Sequence, residues 1–137
     1  MRFRTVALIT AIATLALGAG YLFAGALVVG RWRLEPTEGV LLLGRRIGAL
    51  YLGLAVIFSA ARSAAASAAR TALCAGAAVA TSLLAILGAC EFAAGRAGPG
   101  ILPSAALEAF LVAGFISVLF SERKERAGSP GATHASP

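Results

Sequence analysis

The chain has 137 residues, a length that fits one domain. Hydrophobic residues make up 59% and charged residues 13%, leaving too little polar surface to cover a water-facing globule of this size. Asp, Asn and Gln are absent, which excludes most carboxylate-metal and carboxamide chemistry. The net charge of +6 comes from arginines set singly or in pairs where apolar runs end. They do not form a stripe interleaved with aromatics, as a nucleic-acid footprint would. Arginine at the ends of apolar runs is what anchoring at a membrane surface requires.

A bilayer core of about 30 Å needs about 20 helical residues. The first uncharged run, Val6 to Gly30, lies between Arg2 and Arg4 on one side and Arg31, Trp32 and Arg33 on the other. It reads as one span over 6–30, too long for the apolar region of a cleaved signal peptide. The connection 31–46 is expected at the external interface, with Trp32 at headgroup level. Its middle, Val40 to Leu43, is apolar, so the alternative is a second helix that starts at Val40. Otherwise that helix covers about 47–62. The third span, 71–90, carries no charge. The fourth, 101–120, follows the breaker Gly98-Pro99-Gly100 and contains one charge-capable residue, Glu108. Residues 121–137 read as a disordered cytoplasmic tail, polar and without apolar periodicity.

These spans predict an all-α fold, an integral membrane four-helix bundle. Arg outnumbers Lys and the chain is rich in Ala and Gly, a bacterial coding bias that points to the inner membrane. Lys and Arg are more numerous on the side holding both termini, which places the termini in the cytoplasm. Small residues recur at four-residue spacing: Ala16-Gly20-Ala24, Gly44-Gly48, Ala49-Gly53 and Ala72-Gly76-Ala80. Such rows let helices approach closely where lipid offers no hydrophobic drive. Cys74 and Cys90 sit about 24 Å apart on one predicted helix and are expected as free thiols. Thr81 and Ser82 lie mid-span, where their hydroxyls can bond carbonyls four residues back.

A carboxyl within a span is costly and usually faces the bundle or water. Counting along the helices puts Glu108, Tyr51 and Tyr21 at similar depth, with Arg45 and Arg46 just above. These five residues form the candidate intramembrane polar site. The alternatives are a protonated Glu108, or an interfacial one beside ordinary belt tyrosines. No nucleophile and base pair up, so no catalytic residue, metal site or cofactor is predicted, and the chain is not expected to be an enzyme. The lipid bilayer is the expected environment, with a homo-oligomer or a larger membrane-protein partner as candidates and no nucleic acid.

The stretch Gly44-Arg45-Arg46-Ile47-Gly48-Ala49-Leu50-Tyr51-Leu52-Gly53-Leu54, followed by Arg62, resembles the second helix of small bacterial four-helix membrane proteins, DoxX-like in layout. The resemblance implies a hydrophobic inner-membrane bundle, and quinone-linked or redox partners as a class to test. It carries over no catalytic residue. Two functions therefore stand: a structural or accessory membrane component, or a small carrier or hydrophobic-ligand or quinone-binding subunit using Glu108.

Overall fold

The computed structural model describes residues 2–127, with side chains from 2 to 124. The described residues are helical, without strands: α1 Phe3–Phe23, α2 Gly25–Arg31, α3 Glu38–Ala61, α4 Ala68–Ala93, a 3-10 turn Pro99–Ile101, and α5 Leu102–Ala127. Four of these helical stretches are long and apolar enough to cross a membrane: α1, α3, α4, and α5 with its leading turn. The tail expected over 121–137 is helical as far as Ala127; the rest of that expectation lies outside the described residues.

The first run is not one helix. It breaks at Ala24, whose φ of −135° and ψ of 33° leave the helical region. A Cβ on Gly20 would sit 3.4 Å from a Val28 methyl. In an unbroken helix those two residues would be about 12 Å apart along the axis. The chain therefore bends back, and α1 alone provides the span. The glycines at 18, 20 and 25 make this stretch costly to hold straight.

The second correction concerns α3, which begins at Glu38 and not at Ile47. Thr37 caps it, its hydroxyl accepting from the Val40 N–H at 3.4 Å. The connection expected over 31–46 thus shortens to 32–37, and Arg45 and Arg46 lie within the helix. Ser67 caps α4 in the same manner, accepting from Arg70 N–H at 3.2 Å. That helix ends at Ala93, and Gly95 just beyond it has a φ of 71°, the left-handed conformation glycine takes most cheaply.

Packing forms two antiparallel pairs, α1 along α3 and α4 along α5. Between α1 and α3 the backbones touch: a Cβ on Gly48 would lie 3.0 Å from the Gly18 carbonyl oxygen and 3.0 Å from Tyr21 Cβ. Gly44 and Gly48 do form a packing row. The row Ala72-Gly76-Ala80 does not, since Gly76 has nothing within 4 Å of where its Cβ would be. The pairs meet chiefly through α1 and α5, and no comparable contact joins α3 to α4.

The core lies at the end carrying the N-terminus of α1. There Phe3, Val6, Phe58, Cys74, Leu111 and Phe115 are buried together. An ion pair closes this end, with Arg70 Nε 2.7 Å from Glu122 Oε1. Thr71 donates to the other Glu122 oxygen at 2.8 Å, and the Arg70 guanidinium lies 5.0 Å from the Phe3 ring centroid. The starts of α1 and α4 and the end of α5 therefore share one end, the terminal end. At the opposite end, the turn end, Gly98 N–H bonds the Trp32 carbonyl at 2.8 Å and ties the 94–100 turn to the end of α2. The outward surface stays apolar along its length, with Ile12, Leu50, Val56, Leu83, Ile86 and Phe120 all exposed.

Candidate functional site

With core packing confined to the terminal end, the space between the two helix pairs is left partly empty. A cavity of about 350 Å³ lies there, and a second of about 360 Å³ continues it toward the turn end. Tyr51, Leu84, Ser104 and Glu108 line both. Volumes of roughly 300–1,000 Å³ suit small-molecule ligands. The first cavity is nearly all apolar, walled by Leu17, Leu54, Leu73, Leu107, Leu111 and Phe115. The Phe58 and Phe115 rings, 5.6 Å apart, stand at its inner end beside the core.

The chamber opens sideways. Leu54 on α3, and Ala72, Gly76, Ala80 and Leu84 on α4, line it and are at the same time exposed. These residues flank the seam where α3 and α4 do not pack. The mouth is therefore formed by aliphatic side chains and a glycine, in the middle of helices long enough to span a bilayer.

Glu108 sits where the two cavities join, half-buried, one turn of helix beyond Ser104 on α5. Among the described residues it forms no hydrogen bond or ion pair. Tyr51 and Tyr21 lie within electrostatic range of it. Their rings stack, centroids 6.2 Å apart and planes 8° from parallel. Trp32 meets Tyr21 edge-on at 6.1 Å and lines the second cavity. The break at Ala24 makes this cluster, because it returns the chain so that Trp32 reaches the last turn of α1.

Tyr21, Tyr51 and Glu108 are thus brought to one place, although Tyr21 is near the end of α1 and not deep within a longer helix. Arg45 and Arg46 are not part of it. Both are exposed and line neither cavity. The helical period explains this: Gly44 and Gly48 face Tyr21, Ile47 and Tyr51 turn toward the chamber, and residues 45 and 46 point away.

Sequence reasoning missed two further polar groups. Glu91 and Arg96 flank the second cavity and bond each other at 2.7 and 2.8 Å. The hydrogen bonds to Glu91 hold the Arg96 guanidinium above its ordinary pKa. Their five-residue separation around the Gly95 turn was the available signal. Arg70 and Glu122 had none, being 52 positions apart. Thr81 and Ser82 bond the Ala77 and Ala78 carbonyls at 2.8 and 2.7 Å, as their mid-helix positions predict. Cys74 is buried and Cys90 exposed, both free. Compared with known proteins, the chain matches no family model, no curated protein and no solved structure.

Proposed function

We propose that this chain is a multi-pass protein of a bacterial inner membrane that holds a hydrophobic small molecule in the chamber around Glu108, as a carrier or ligand-binding subunit and not as an enzyme. One observation carries the reading: an apolar chamber, large enough for a small ligand, contains a single carboxyl that has no hydrogen bond or ion pair among the described residues, and it opens sideways among exposed aliphatic residues. A protein that only fills space between neighbours gains nothing from leaving its own interior empty, since unfilled volume forfeits packing energy. The exposed apolar surface supports the membrane setting, because soluble monomers rarely carry contiguous apolar patches beyond a few hundred Å². The resemblance of residues 44–54 to the second helix of DoxX-like proteins makes a quinone one ligand to test.

Purification in mild detergent, extraction and mass spectrometry test this. The expected result is a hydrophobic small molecule recovered in stoichiometric amount from the native chain and lost from Gly76→Phe, a variant that puts a ring at the mouth from a position whose Cβ has no neighbouring atom within 4 Å. Equal recovery from both proteins would remove the chamber as its site.

The second reading is a structural or accessory component. Its support is the row Ala49-Gly53 on the outer side of α3, exposed and with nothing within 4 Å of a Gly53 Cβ. Small residues facing outward suit a second helix, from another copy or from a larger membrane protein. Gly53→Leu would dissociate such an assembly on a sizing column in detergent.

A further inference from the structure

We propose that the chamber takes a single-chain amphiphilic cation, admitted sideways between α3 and α4, with its charged head beside Glu108 and its chain in the apolar cavity. The proposal rests on the reading of the chamber as a ligand site and adds the chemistry of the ligand and its route.

The charge comes from what faces Glu108 and what does not. Among the described residues, no Lys, Arg or His lines the apolar cavity. The second cavity has, among the described residues, one basic group, Arg96, and it is already held by two hydrogen bonds to Glu91. Glu108 is therefore a carboxyl in apolar surroundings with no cation of its own. Burying an ionised carboxylate without a counter-charge is expensive, so the group takes up either a proton or a cation, and a cationic ligand is what lets it stay ionised there. The aromatic cluster favours the same sign, since the faces of Tyr and Trp rings attract cations. Tyr51 lines both cavities, and Tyr21 and Trp32 line the one beyond Glu108.

The chain of the ligand follows from the shape. From Glu108 the apolar cavity runs between Leu107 and Leu111 of α5 and Leu54 of α3, and stops at the Phe58–Phe115 pair. It is a blind apolar slot with its polar group at one end, the profile of a head with one hydrocarbon tail. The route follows from the mouth. Gly76 and Ala80 keep the α4 side of the seam low, and a Cβ at Gly76 would meet open space. A tail lying among lipid chains enters such a slit without crossing water.

Trp32 is the one tryptophan of the chain and lines the cavity on the head side of Glu108. Its fluorescence therefore reports a quencher there. The full chain in nanodiscs is titrated with two nitroxide probes that share a dodecyl chain. One carries its piperidine nitroxide on a quaternary ammonium head, the other on a neutral ester head. Saturable quenching is expected, with the cation binding about tenfold tighter than the ester. Glu108→Gln is expected to abolish that preference while retaining the ester, and Gly76→Phe or Ala80→Phe to weaken both probes.

Equal affinity for the two probes in both the native chain and Glu108→Gln would overturn the cationic assignment and leave the chamber reading standing, with a neutral ligand. Affinities for both probes left unchanged by Gly76→Phe and by Ala80→Phe would overturn the sideways entry. Quenching that never saturates for either probe would sink the chamber reading itself. Folding of each variant is checked by its elution and by the Trp32 emission maximum without probe.

Discussion

At the scale of single residues, two glycines of α3 that the sequence cannot tell apart have opposite surroundings. Gly48 faces the Gly18 carbonyl at a distance no Cβ tolerates comfortably, whereas Gly53 faces nothing. Gly48→Ala should cost about 1–3 kcal/mol, the usual penalty for overpacking, and should disturb the Tyr21–Tyr51 stack. Gly53→Ala should be neutral or stabilising, because alanine is the better helix former. Thermal midpoints in detergent decide between them, and a Gly53→Ala loss equal to that of Gly48→Ala would contradict the register of α1 on α3. The Arg70–Glu122 pair is the other residue-scale constraint. Glu122 is 5% exposed and Arg70 half-buried, so Glu122→Ala leaves the guanidinium without its counter-charge and should cost about 1–3 kcal/mol. Replacing both partners by Met should recover much of that loss, since the pair's attraction largely offsets its desolvation. A double variant as unstable as the single one would mean that the Arg70 bond to the Ala64 carbonyl, kept in Glu122→Ala and lost in the double variant, matters more than the charges. Glu108 stood out in the sequence because it is alone in an uncharged run. Arg70 and Glu122 did not, because a charge at a helix end looks the same whether it snorkels to water or meets a partner from a distant helix.

At the scale of elements, apolar runs between arginines were legible because the lengths of membrane-crossing helices are set by a fixed thickness. The number of long helices followed from that. The break at Ala24 did not, for hydropathy is blind to a bend inside an apolar run, and glycines alone mark where bending is cheap without saying that it happens. The start of α3 was misplaced for a related reason. Arg45 and Arg46 read as the edge of a span, but arginine stems reach several ångströms along a helix, and the true start is marked by the Thr37 cap. The consequence for the site is direct, because the bend brings Trp32 to Tyr21 and the early start of α3 turns both arginines away. The bend is testable by cross-linking. With Cys74 and Cys90 replaced by Ala, Gly20→Cys with Val28→Cys should form a disulfide on mild oxidation. In a straight helix the two Cα atoms would be about 12 Å apart, beyond the limit of about 7 Å. No disulfide under oxidation would mean that α1 and α2 are one rod and that the aromatic cluster does not form.

For the whole molecule, orientation in the membrane follows from which ends meet. Phe3 and Glu122 both approach Arg70, so the chain enters and leaves at the terminal end. That end carries Arg2, Arg4, Arg62, Arg70, Arg123, Lys124 and Arg126. The turn end carries Arg31, Arg33 and Arg96, with Arg45 and Arg46 about 10 Å and about 12 Å inside the start of α3. Only charges near the ends of spans weigh on orientation, so moving those two into a helix widens the excess at the terminal end. Both termini should therefore face the cytoplasm, and Glu108 and the aromatic cluster should lie in the outer half of the bilayer. A fluorescent-protein and alkaline-phosphatase pair fused after Pro137 reads this out: green fluorescence without phosphatase activity is expected. Phosphatase activity there would invert the molecule and place the chamber's polar group in the cytoplasmic leaflet, changing which face of the membrane supplies its ligand. Substituting Arg2 and Arg4 with Ser, which removes the charges next to the first span, should produce a mixed population if the charge balance sets the orientation. A variant that stays uniform would assign the orientation to the remaining charges of the terminal end, with Arg123 and Lys124 the next pair to remove.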